Sequence, residues 1–276
     1  MPHQTRTPRA RWWTYTLIAV VGLLALAPFA WMISTALMTT GQTLQVPPKL
    51  LPSPATLAGI KEVFERLPFG TLVLNTALVS AARVAGTIVI ASLAAYALAV
   101  IKVPGARIVL ITILALIMVP GDIFIIPNYA IISSLHLTNT LTALFVPNVF
   151  DVFAVFLLYQ FFRSIPRELV EAARMDGASH LRILVTIIVP VARSGIITVA
   201  LLTVLSEWKE LLWPIVVNRS EDKLPVGPGL AMLRGTYTTD YNVLMSAGLL
   251  AALPMVIIFL LLQKHFIASV ARSGLK

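Results

Sequence analysis

Cysteine is absent from the 276 residues, which excludes disulfides, thiolate nucleophiles and cysteine-bound zinc. Charge is scarce: 12% of residues are charged, against about 25% in an ordinary soluble domain. Acids are scarcer than bases, 12 against 21, for a net charge of +9. The four histidines, His3, His136, His180 and His265, lie far apart and show no metal-ligand spacing. There is no G-x4-G-K-(S/T) string, so no Walker-type phosphate loop is present. Internal repeats and low-complexity tracts are missing too.

What is present is apolar. Hydrophobic residues make up 58% of the chain, and the mean hydropathy is +0.89. They come in runs, and about 20 consecutive apolar residues cross the hydrocarbon core as a helix. Lipid is therefore the expected solvent, and helices are the expected elements, because a helix satisfies its own backbone in lipid. The expected fold class is all-α, a polytopic membrane protein with six transmembrane helices.

The expected spans are Leu17–Leu37, a helix within Thr71–Ile101, Ile108–Ile131, Leu141–Phe162, a helix from Arg193 to about Val217, and Val243–Leu262. The third is interrupted by Pro120, Asp122 and Pro127. The first follows Arg6, Arg9 and Arg11 as a secretory signal would. However, it is longer than a signal's apolar core and lacks a small-x-small end, so it is read as a retained span. Pro28, Pro120, Pro127, Pro147 and Pro254 are expected to shape helices.

The basic residues sit between the runs, which argues for a positive-inside bias rather than nucleic-acid binding. One side collects Arg6, Arg9, Arg11, Lys102, Arg107, five arginines in 163–193, then Lys264, Arg272 and Lys276. The other has six, from Lys49 to Arg234. Both termini and segment 163–193 are thus expected in the cytoplasm. Segments 38–70 and 218–242 are rich in proline and glycine and read as ordered outer loops, with a helix-like stretch at Gly59–Arg66.

Segment 163–193 is long for a connection and has internal order. Pro166 suits a first helical turn. Arg167, Glu171 and Arg174 follow at i, i+4 and i+7 and put charge on one face. Glu168 and Asp176 lie in the same stretch. Leu169, Ala172 and Ala173 are expected to form a flat face open to close approach. Gly177 is placed to end the helix in the left-handed conformation. Ser179 can cap a second helix, with Leu181, Leu184 and Ile188 on its apolar side, up to Pro190. On spacing alone, a hairpin lying on the membrane surface explains this equally well.

The stretch EAARMDGASHLRILVTIIVP resembles the pattern E-A-A-x3-G-x9-I-x-L-P of permeases from binding-protein-dependent ABC importers. Glu171, Ala172, Ala173, Gly177, Ile187 and Pro190 are in register, and Val189 replaces Leu. YALAVIKVPGARIVL, VPGDIFIIPNYAIISSLHLTNT, FFRSIPRELVEAARMDGAS and EWKELLWPIVV extend the resemblance over roughly 70–265, toward the carbohydrate (maltose-type) permeases. The last string departs from the family at Lys209, where Asn is usual.

The resemblance implies a type I ABC importer permease fold that performs no covalent chemistry. It divides the chain into an N-terminal tail (1–16), a first span with its outer segment (17–69), a five-helix core with coupling loop 163–190 (70–265), and a C-terminal tail (266–276). Pro166, Glu168, Glu171, Ala172, Ala173, Asp176, Gly177 and Pro190 are implied to dock on an ATPase. The implied partners are a second permease subunit, two ATPase subunits that hold ATP and Mg, an extracytoplasmic solute-binding protein and lipid. No cofactor or metal is expected in this chain.

Polar groups in apolar runs form the second candidate set. Arg83, Asp122, Asp151 and Glu207, with Asn148, Trp208 and Glu210 nearby, suit either a translocation pathway or helix-to-helix hydrogen bonds. For Asp122 and Glu207 the structural role is the stronger expectation. Trp208, Trp213, Tyr237 and Tyr241 suit a membrane interface better than sugar stacking. A secondary transporter using Asp122 or Asp151 is the rival reading. It would leave the E-A-A pattern unexplained and lacks the expected repeat.

Overall fold

The computed structural model describes residues 8–234 and 239–273, with side-chain surroundings for 12–234, 239–261 and 263. Arg6, Gly235, Tyr237 and Lys276 lie outside the described residues. The side chains of Arg9, Arg11, Lys264, His265 and Arg272 are likewise not described. Among the described residues every regular element is a helix.

In chain order the main helices are α1 (Pro8–Ala36), α2 (Ala58–Arg66), α3 (Phe69–Tyr96), α4 (Ala106–Ile117), α5 (Ile125–Ser134), α6 (Leu141–Phe145) and α7 (Val152–Arg163). They continue with α8 (Arg167–Met175), α9 (His180–Ile183), α10 (Arg193–Trp208), α11 (Leu212–Val217), α12 (Val226–Met232) and α13 (Tyr241–Ser273). Three helices are long and apolar enough to cross a bilayer unbroken: Trp12–Ala36, Phe69–Ile101 and Tyr241–Leu261. Three further pairs are bent: Ala106–Ile117 with Gly121–Ser134 at 97°, Leu141–Asn148 with Val152–Arg163 at 52°, and His180–Val191 with Arg193–Trp208 at 81°. Counting each pair as one span gives six.

Breaks shape three of the expected spans. The third was expected to be interrupted, and it turns through nearly a right angle after Pro120. The fourth, expected over Leu141–Phe162 with Pro147 shaping it, is bent by 52°. Pro147 sits in a single tight turn, and Asp151 restarts the helix by accepting the Ala154 N–H at 3.0 Å. The fifth ends at Trp208 instead of running to Val217. Glu210 then accepts the Trp213 N–H at 3.3 Å as α11 begins. The restarts after Asp151 and Glu210 each supply a carboxylate to the N–H groups that a new helix leaves unpaired.

The chain forms two compact units. One comprises residues 1–67 and 230–253, and the other residues 68–229 and 254–276. In the first, α1 is apolar all round and its Leu17, Leu23 and Leu24 are exposed. Such a helix suits lipid on every side. The end of α1 and the start of α13 meet through small and polar groups. Ser246 Oγ donates to the Ala36 carbonyl at 3.3 Å, and Thr40 Oγ1 bonds Asn242 Oδ1 at 3.3 Å. Arg66, on α2, donates to Asp240 at 2.7 Å and also to Glu62. The bond to Asp240 holds its guanidinium above the ordinary arginine value.

In the second unit, α3 packs against α7 and α10, and α4 packs against α7. Ala95, Val155, Leu158, Phe162, Ile183 and Ile188 form the centre of its larger core. Apolar burial gains little among lipid tails, so close packing and hydrogen bonds hold such helices together. Gly195 is a case in point. A Cβ there would stand 2.6 Å from the Phe161 ring, so only glycine lets α10 approach α7 this closely.

Candidate functional site

The segment around the E-A-A string builds a stiff two-helix loop. Pro166 is the residue before the first helical turn, one position earlier than expected, and α8 runs Arg167–Met175. Gly177 has φ +74°, as expected. The Ala178 N–H donates to the Ala173 carbonyl at 3.0 Å and the Gly177 N–H to the Arg174 carbonyl at 3.0 Å. These two bonds make a Schellman end, which needs a left-handed residue at Gly177. Ser179 Oγ then accepts the Arg182 N–H at 3.4 Å and caps α9.

Two expectations about faces are corrected. Leu169 and Ala172 are exposed, whereas Ala173 is buried against the chain's own core. Adjacent residues on a helix point about 100° apart. The expected flat face is therefore split between solvent and core. On the second helix Leu181 is exposed, while Ile183, Leu184 and Ile188 are buried. A π-helical turn at Leu184–Ile188 breaks the 3.6-residue period on which the expected face relied.

The outward surface of α8 presents Glu168, Leu169, Ala172, Met175 and Asp176, all exposed. Glu171 is exposed as well and lines a cavity with Arg167, Val170 and Arg174. Pro190 lies in the short helix Val189–Val191 that leads to α10. The loop is tied to α3 by a contact that local sequence patterns do not signal. Tyr96 Oη and His180 Nδ1 are 3.2 Å apart, and their rings meet edge to face at 6.0 Å. The Arg167–Met175 helix is thus capped at its end, presented at the surface and tied to the helical core.

Among the polar candidates, the structure brings Arg83 and Glu207 together. Arg83 Nη1 donates to Glu207 Oε2 at 2.8 Å, and both side chains are buried between α3 and α10. Glu207 thus serves as the helix-to-helix tie that the sequence favoured. Asp151 and Glu210 serve the helix restarts already described. Asn148 and Trp208 are half-buried, and Asp122 is exposed at the bend between α4 and α5. Trp213 is buried and its indole N–H donates to the Ala143 carbonyl at 3.0 Å, whereas Tyr241 is exposed.

A polar stripe on α3 escaped the sequence reading apart from Arg83. Thr76, Ser80, Arg83 and Thr87 recur at intervals of four, three and four residues, and all are buried. Thr87 Oγ1 donates to the Val149 carbonyl at 2.9 Å, inside the break of the fourth span. Thr76 Oγ1 accepts the Val226 N–H at 2.9 Å. Asn75, beside the stripe, donates to the Asp222 and Leu224 carbonyls at 2.8 and 2.9 Å. The helical spacing of small polar residues in an apolar run was the available signal.

Among the described residues the chain is all-helical, with unbroken and bent candidate spans joined by a capped two-helix loop, the architecture of a polytopic membrane protein. The family described as "Binding-protein-dependent transport system inner membrane component" matches residues 86–272. The chain belongs to that family, and the inner membrane is its location. It is 33% identical over 260 residues to the arabinooligosaccharides transport system permease protein AraQ of Halalkalibacterium halodurans, covering 94% of this chain and 92% of the relative. It is 29% identical over 269 residues to the sn-glycerol-3-phosphate transport system permease protein UgpE of Yersinia pestis bv. Antiqua, covering 93% and 95%. The fold matches a chain in the crystal structure of a bacterial ABC transporter involved in the import of the acidic polysaccharide alginate. There the TM-score is 0.82 at 23% identity, with 96% of this chain and 100% of that chain covered.

Proposed function

We propose that this chain is one of two permease subunits in an ATP-driven importer for a sugar or sugar-like solute. The loop at 163–190 carries the reading. It presents a short, capped helix whose exposed Glu168, Leu169, Ala172 and Asp176 suit docking in a cleft of an ATPase subunit. Relatives named for arabinooligosaccharides and sn-glycerol-3-phosphate support the solute class. The distribution of Lys and Arg supports cytoplasmic termini and a cytoplasmic loop.

In this reading ATP and Mg sit on two partner ATPases, in keeping with the missing phosphate-loop string. ATP closes the ATPase pair, α8 moves with it, and the spans rock to open the pathway outward. Pro166 and Gly177 bound the docking helix, Glu171 meets a polar or basic group of the ATPase, and Pro190 starts the return into the membrane. Arg83, Asp122, Asn148, Asp151, Glu207, Trp208 and Glu210 shape the helices around the pathway. Segment 218–240 faces a solute-binding protein.

The test is uptake by the complete importer, co-expressed with its ATPase, partner permease and binding protein. Uptake should be vanadate-sensitive. Glu171→Lys and Gly177→Pro should each reduce transport at least tenfold while solute-stimulated ATP hydrolysis no longer tracks uptake. Normal uptake by both variants would sink the proposal.

A further inference from the structure

A half-open cavity of 720 Å³ lies at the surface of the second unit, beside α8. Five cations from four elements line it: Lys102, Arg107, Arg163, Arg167 and Arg174. Glu171 is the one carboxylate among its lining residues. None of the five cations forms an ion pair among the described residues. A positive-inside bias accounts for basic residues near these helix ends. It does not account for their convergence on one concavity, where like charges repel and the field is focused.

The backbone works to hold them there. The π-helical turn Ala97–Ile101 ends α3, and Lys102 follows with φ +58°. Gly105, at φ +80°, then starts α4, with Arg107 in its first turn. Arg163 occupies the last turn of α7. The remaining wall is apolar, with Leu98, Leu110 and Ile165. Farther along α4, Ile108 and Ile111 are exposed. Cations beside an apolar wall and an exposed apolar helix face suit a phosphate head with acyl chains attached. Arginine forks match phosphate oxygens, and basic pockets between membrane helices hold anionic headgroups.

We propose that this cavity binds a phosphate anion, supplied by an anionic phospholipid headgroup. The proposal goes beyond the importer reading and needs only that α4 and α7 cross a bilayer. Lipid bound here would brace the segment before α4 against α8 and bias the loop's position.

The experiment is native mass spectrometry and thermal unfolding of the full chain in neutral detergent, titrated with phosphatidylglycerol, phosphatidylcholine or inorganic phosphate. Phosphatidylglycerol should bind at least tenfold more tightly than phosphatidylcholine and raise the unfolding temperature. Lys102→Gln with Arg107→Gln, both off α8, should remove most of that preference. Arg219→Gln, outside the cavity, should not. Equal response to inorganic phosphate would keep the anion site but assign it to a soluble phosphate, overturning the lipid source. Equal binding of both lipids by the unmodified chain would overturn the proposal whether or not the variants fold. So would protection that arises only on assembly with the ATPase, which would assign the cations to partner carboxylates.

Discussion

α1 and α3 have equal mean hydropathy, yet they live in different surroundings. None of the apolar window of α1 is buried, whereas a third of that of α3 is. Hydropathy is a statement about solvent, and both helices satisfy it. What separates them is the minority of polar side chains. In α3 these residues recur on one face, and Arg83, Thr87 and Thr76 find partners in α10, in the break at Val149 and at the start of α12. From Leu17 to Trp31, α1 has no such stripe. In lipid, apolar residues place a helix in the membrane, and polar residues decide what it touches.

The largest expected break in this comparison is at the buried ion pair. Arg83→Ala or Glu207→Ala leaves a lone charge in the helix core and should cost about 3–5 kcal/mol. Thermal unfolding in detergent and the yield of folded protein would show it. Replacing both, Arg83→Leu with Glu207→Leu, should recover most of the loss. A single variant as stable as the parent would mean that the pair ties nothing.

Thr87→Val is the intermediate case. It keeps the shape but strips the Val149 carbonyl of its donor, for an expected loss of about 0.6–1.7 kcal/mol, the range for hydrogen bonds between membrane helices. The same unfolding assay reads it. Leu24→Ala on α1 should fall within about 0.5 kcal/mol, as for exposed positions generally. A larger loss in the isolated chain would show that α1 packs on something and would erase the contrast.

The loop at 163–190 was legible because its signals are local. A glycine that must adopt φ +74° and a serine that caps the next turn are readable from their immediate neighbours. Its faces were less legible. Ala173 turns into the core, and Leu181 is exposed where Leu184 and Ile188 are buried. Both depend on what the helices pack against. The same division holds in the spans. Pro120 announced the sharp bend of the third. The break in the fourth needed Asp151 as a cap and Thr87 as a donor, and Thr87 stands 62 positions from its acceptor.

The sequence by itself determined the solvent, the helical class, the approximate spans and the loop that marks the family. Those properties follow from composition, from local backbone chemistry and from the cost of an unpaired backbone group in lipid. Only the tertiary structure decided that Arg83 pairs with Glu207, that Tyr96 meets His180, and that five cations share one cavity. Such meetings join residues from 4 to 124 positions apart through the packing of separate helices, which no local pattern encodes.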